Sequence, residues 1–166
     1  MRYAALVLGL VPALVPTPIG VGPRYRPPPG VHAACTPGPL RGARRVHVEL
    51  FADRRVAIVP AAVGLRGARL EQGRVTGARC RARLWTTDPT GVVDFDGAAT
   101  LDDLFAVWGQ PLGPRHLAGF RGAVSVFRNG ARVHGDPRRL ALRDGDELVL
   151  EVGGFVPPHR SYRFPP

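Results

Sequence analysis

The sequence predicts an α+β domain that is mostly β, a mixed sheet with one short helix, set behind a hydrophobic start and a proline-rich linker. Three observations carry this. Apolar and polar residues alternate through most of 44–152, the period of a half-buried strand. Helical spacing appears clearly only at 100–109. The 166-residue chain holds 21 Gly and 18 Pro, which cut it into segments too short for long helices. Its length suits one domain.

The elements follow in order. Val46, Val48 and Leu50 alternate with His47, Glu49 and Phe51, which predicts a first strand. Asp53-Arg54 makes a tight turn and Arg55–Val59 returns as a second strand. The stretch 61–77 is irregular, with a short strand expected around Arg69–Val75. Arg81–Thr86 reads as a further strand, Asp88-Pro89-Thr90-Gly91 as a turn, and Val92–Phe95 as the strand leaving it. Thr100 caps the helix, and Asp102 and Asp103 in its first turn suit the helix dipole. Leu101, Leu104, Phe105 and Trp108 form one apolar stripe, and Gly109 closes the helix. Asn129-Gly130 is the strongest hairpin turn, between strands at Ala123–Phe127 and Arg132–His134. A last strand, Glu147–Val152, follows the turn Asp144-Gly145-Asp146. One helix laid across a mixed sheet, with a strand after it, suggests a β-grasp (ubiquitin-like) arrangement.

The N-terminus speaks for export. Met1-Arg2 is a short positive start, and Tyr3–Val15 is almost wholly apolar, the two regions of a signal peptide. Pro12, Pro16 and Pro18 would shorten any helix, so as an uncleaved anchor the segment is a poor span. Residues 1–22 are therefore read as a signal peptide or N-terminal membrane anchor, and 23–43 as a Pro/Gly-rich linker. Residues 44–166 form the single β-rich domain, with an extended proline-rich tail. Cys35 and Cys80, the two cysteines, lie too far apart for a metal or redox motif. In an exported chain they suggest one disulfide, closing a loop of about 45 residues for roughly 4 kcal/mol in the chain-entropy model.

The formal charge is +10, and every basic residue other than histidine is arginine. Arginine without lysine, among abundant Ala, Gly and Pro, reads as coding bias before it reads as function. A basic face could still meet anionic lipid, wall polymer or nucleic acid. No zinc-finger spacing or aromatic-rich RNA-binding strand accompanies it, so nucleic acid is not expected.

The stretches VHVELFADRRVAIVPAAVGL, CRARLWTTDPTGVVDFD, TLDDLFAVWGQPL, GDPRRLALRDGDELVLEVG and the closing YRFP resemble an uncharacterised family of secreted or membrane-tethered prokaryotic proteins, actinobacterial and archaeal. The likeness spans roughly residues 35–166 and rests mainly on the FAVWGQPL segment and the FVPP…YRFP tail. A looser similarity is to secreted β-grasp domains. The resemblance implies a histidine-rich metal site on adjacent strands. At the matching positions this chain has Arg45 and His47, then Trp85, Thr87 and Asp88, then Asp94 and Asp96. The remaining set of His47, Asp88, Asp94 and Asp96 is oxygen-rich, better suited to a hard cation than to zinc or copper. The plain alternative is a strand histidine with turn carboxylates paired to arginine. Trp85, where the resemblance would place a polar residue, is the candidate for a recognition platform.

Catalysis finds no foothold. Nucleophile-elbow, zinc-protease and phosphate-cradling motifs are absent from the sequence, and Ser125 and Ser161 are the only serines. The expectation is a non-enzymatic extracytoplasmic or cell-envelope domain, monomeric and without cofactor, that binds a partner protein or envelope polymer. The alternative is a small divalent-cation-binding protein.

Overall fold

A computed structural model describes residues 34–165. The export segment and residues 23–33 of the linker lie outside the described residues. The strands are β1 (Arg44–Ala52), β2 (Arg55–Ala57), β3 (Leu65–Arg66), β4 (Arg69–Glu71), β5 (Arg74–Gly77), β6 (Cys80–Arg81), β7 (Leu84–Trp85) and β8 (Val92–Phe95). The helix α1 (Leu101–Trp108) comes next, then β9 (Leu112–Gly113), β10 (His116–Leu117), β11 (Phe120–Arg121), β12 (Val124–Arg128) and β13 (Ala131–Val133). A single 3-10 turn, Pro137–Arg139, precedes β14 (Glu147–Val152). The chain is thus mostly β with one short helix, an α+β fold.

The main sheet runs β13-β12-β14-β1-β8-β7, with β2 beside the far end of β1. β1 and β14 are parallel, from His47 opposite Glu147 to Ala52 opposite Val152. The other pairs are antiparallel, so the sheet is mixed. Alternation on β1 decides the inner face: Val46, Val48, Leu50 and Ala52 are buried with Leu148, Leu150 and Val152 of β14. α1 lies on this face. Its stripe of Leu101, Leu104, Phe105 and Trp108 is buried to 1% exposure or less. Thr100 caps it as expected: its hydroxyl accepts from the Asp103 amide, and Asp103 accepts from the Thr100 amide in return. Gly109 ends it in the left-handed region at φ 74°.

Several boundaries differ from expectation for physical reasons. The strand expected at Arg81–Thr86 is two pieces, because Arg81 pairs with Leu65 in one ladder and Leu84 with Phe95 in another. The stretch 61–77, read as irregular with one short strand around Arg69–Val75, carries β3 and the β4–β5 hairpin, whose turn at Gln72-Gly73 splits that strand in two. The meander β9–β11 escaped notice because strands of two residues carry no period.

The largest departure lies on the sheet's outer face. Residues 34–43, read as linker, are fastened to the domain. Thr36 pairs with Arg81, the Gly42 amide donates to Asp94 Oδ1 at 2.9 Å, and the Ala43 amide donates to Asp96 Oδ1 at 3.1 Å. Cys35 and Cys80 form the expected disulfide. At the other end, the tail from Gly153 to Pro165 crosses the same face. The Val156 amide donates to Glu151, Phe155 meets Phe127 edge-on, and Arg45 reaches the Pro165 carbonyl and the Phe164 ring. Two terminal segments therefore roof a face that alternation alone leaves to solvent.

Candidate functional site

Cross-strand register sets the outer face. Arg45, His47, Glu49 and Phe51 of β1 share it with Glu147, Val149 and Glu151 of β14 and with Asp94 of β8. Partners across a ladder point the same way. The parallel pairing sets His47 directly beside Glu147, a neighbour 100 residues away in sequence.

His47 is 4% exposed and Glu147 1%. Nδ1 of His47 stands 2.7 Å from Glu147 Oε2, and Nε2 stands 2.7 Å from the Thr90 carbonyl oxygen. A carbonyl can only accept, so Nε2 carries a proton. A second proton lies between Nδ1 and Oε2. Burial works against charge on the imidazole, but the Glu147 hydrogen bond and charge, the Thr90 carbonyl and Glu49 outweigh it and raise the His47 pKa above its ordinary 6.5. Gly91 makes the close approach possible: at φ 88°, a Cβ there would sit 2.5 Å from the Val48 carbonyl and 3.1 Å from His47 Nε2. The Tyr162 ring from the tail stacks on the imidazole, centroids 3.7 Å apart and 12° from parallel.

Glu147 is set from its other side by the Asn129-Gly130 turn. The Asn129 side-chain carbonyl accepts from the Glu147 amide at 2.8 Å, and the Asn129 amide donates to the Glu147 carbonyl at 2.8 Å. One carboxylate oxygen, Oε1, is buried with no hydrogen-bond partner. Glu49 completes the group. One ligating atom each from His47, Glu49 and Glu147 lies within 4.8 Å of the others, and among the described residues no other group of three His, Cys or carboxylate side chains does so. His159 of the tail extends the cluster, Nδ1 to Glu49 Oε2 at 2.8 Å.

The quartet expected from the sequence does not assemble. His47 belongs to the cluster just described, and its three supposed partners serve elsewhere. Asp88 is a turn residue, accepting from the Thr90 amide at 3.1 Å and from the Thr90 hydroxyl, with Arg74 at 3.5 Å. Asp94 anchors the N-terminal segment through Gly42; desolvation raises its pKa against the pull of that amide and of Arg45. Asp96 binds the Ala43 amide and the Arg81 guanidinium, which together lower its pKa. Asp88 and Asp94 do line one cleft of about 350 Å³, but with Arg41, Arg45 and Arg74 rather than with His47. Three arginines beside two carboxylates make that cleft a poor cation site.

Trp85 is corrected too. It lies on the outer face, opposite Asp94, yet is 0% exposed. Its indole N–H donates to the Leu40 carbonyl at 3.0 Å, and the Arg81 guanidinium lies 4.0 Å from its ring centre. It holds the N-terminal segment down and offers no surface to a ligand. The sequence reading missed Thr90, Tyr162 and His159, and it placed Glu147 on the last strand beside the Asp144–Asp146 turn with no role in a site. The Glu49 side chain was placed on the polar face but not in a site.

The basic residues have a shape that composition hides. The arm from Leu65 to Arg83, built of β3–β6 and β4–β5, exposes Arg66, Arg69, Arg74, Arg79 and Arg83. The arm's own sequence opposes them with Glu71 alone. Among the described residues, Arg74 and Arg83 reach carboxylates on the domain, Asp88 and Asp103, while Arg66, Arg69 and Arg79 make no ion pair. The disulfide fastens the arm to Cys35 at one end. No helix of the described residues is long and apolar enough to cross a membrane.

No family model, no curated protein and no solved structure matches the chain.

Proposed function

We propose that the chain is a non-enzymatic extracytoplasmic domain of β-grasp type that docks onto an anionic polymer of the cell envelope through its arginine arm. The observation that carries this is the arm itself: five exposed arginines with one acidic neighbour of its own, cross-linked to the domain by a disulfide. A genome-wide preference for arginine would scatter the charge. Here the stretch 84–151 holds ten acidic residues against seven arginines, while 65–83 holds six arginines against one glutamate. A cationic surface of this kind attracts phosphate or carboxylate groups at long range and holds them by forked hydrogen bonds.

The placement outside the cytoplasm rests on the apolar segment Tyr3–Val15, on the disulfide, and on the resemblance to a secreted or membrane-tethered prokaryotic family. The β-grasp reading rests on the order β13-β12-β14-β1, the parallel centre and the lone helix. The non-enzymatic reading rests on the sequence, which has no nucleophile motif.

The test is binding of the full chain to immobilised polyphosphate, with neutral dextran as control. Binding to polyphosphate alone, lost at about 1 M salt where the Debye length falls to roughly 3 Å, is expected. Replacing Arg66, Arg69 and Arg79 together by Gln should weaken it about a hundredfold, at roughly 1 kcal/mol per arginine. Equal retention on dextran, or an unchanged affinity in the triple variant, overturns the reading.

A further inference from the structure

The His47 cluster has a feature that a plain buried ion pair does not need. We infer that His47, Glu49 and Glu147 form a binding site for one first-row divalent cation of the zinc class, with His159 of the tail as a fourth ligand. This stands apart from the arm and does not depend on it.

Four observations converge. One ligating atom each from His47, Glu49 and Glu147 lies within 4.8 Å of the others. Glu147 is 1% exposed, and its Oε1 is buried with no partner, an orphaned lone-pair oxygen whose desolvation nothing in the apo cluster offsets. The second nitrogen of His47 donates to the Thr90 carbonyl at 2.7 Å, the outer-shell contact that fixes the tautomer and aims the other nitrogen at a metal. Finally, a second imidazole, His159, already touches Glu49 at 2.8 Å. Two imidazoles and two carboxylates form a borderline donor set that suits zinc better than calcium.

Ligands at about 2.0–2.2 Å from zinc stand roughly 3.4 Å apart in a tetrahedron, whereas His47 Nδ1 and Glu147 Oε2 stand 2.7 Å apart and the three ligating atoms lie within 4.8 Å of one another. The buried pair must therefore open slightly, and Glu49, whose side chain is 21% exposed, must swing in. Binding also has a proton balance. The Nδ1–H···Oε2 hydrogen bond breaks, the metal takes the Nδ1 lone pair and the carboxylate, and one proton leaves to solvent.

The experiment is a calorimetric and thermal-shift titration of the full chain with Zn²⁺ at pH 7.5, with Ca²⁺ and Mg²⁺ as controls. Near-stoichiometric Zn²⁺ binding is expected, with a raised Tm, and no comparable rise with Ca²⁺ or Mg²⁺. Glu49→Gln should remove the binding, and His159→Ala should weaken it about tenfold. Both side chains are partly exposed, so both variants should fold with Tm near that of the parent chain. Cobalt substitution adds a readout that stability cannot mimic: a tetrahedral visible spectrum in the parent chain, lost in Glu49→Gln. No rise in Tm with Zn²⁺, or equal Zn²⁺ affinity in Glu49→Gln, overturns the site.

Discussion

The two faces of the central sheet are built on different terms. The inner face is apolar side chain against apolar side chain: Val46, Val48 and Leu50 under Leu104 and Trp108. The outer face buries His47, Asp94, Glu147 and Glu151, and it stays dry because two terminal segments lie over it. An apolar face needs only volume and shape to be stable. A polar face needs partners for its donors and acceptors, and here Gly42, Thr90, Val156 and the tail supply them except at Glu147 Oε1. The first face makes the fold, and the second holds ionisable groups out of solvent beneath the terminal segments.

The largest test of that contrast is on the inner face. Trp108→Ala removes the largest buried side chain of α1 and should cost about 3–5 kcal/mol, read as a lower urea midpoint. On the outer face, Tyr162→Ala removes only the ring stacked on His47 and should cost about 1–2 kcal/mol. If the two substitutions cost the same, the tail is as much core as the helix and the distinction between faces fails.

The smallest effect is the dependence on pH. The pKa of His47 is raised on folding, so its stabilisation is fully present below about 6.5 and is lost as the pH rises through the folded value. Asp94 and Glu151, raised by burial, act in the same direction at lower pH, since each is held more readily in its neutral form by the fold. Unfolding free energy should therefore decline from pH 6 to 8 in metal-free protein. His47→Gln should flatten that slope, and an unchanged slope would show that the imidazole is not the titrating group.

The inner face is legible in the sequence because its signals are local. The Val46–Leu50 alternation, the Thr100 cap with the stripe to Trp108, the Asn129-Gly130 turn and the Glu147–Val152 strand all lie where periodicity and turn chemistry place them. The outer face is not, because its contacts join residues far apart. His47 meets Glu147 across 100 residues, and His159 meets Glu49 across 110. Asp94 and Asp96 look like a pair on one strand, yet each is drawn off by the amide of a segment that reads as linker. Trp85 looks exposed on its strand and is covered by that same segment. Proline-rich segments have no period from which docking could be read.

The parallel pairing of β1 with β14 also governs how the domain comes into being. The central hydrogen bonds of the sheet join stretches about a hundred residues apart. Loop-closure entropy must be met before that pairing contributes, which puts folding in the slower, high-contact-order regime. A chain of this topology stays open until Glu147–Val152 has emerged. Until then the preceding residues can form hairpins and the helix but lack the strand that joins the two halves of the main sheet.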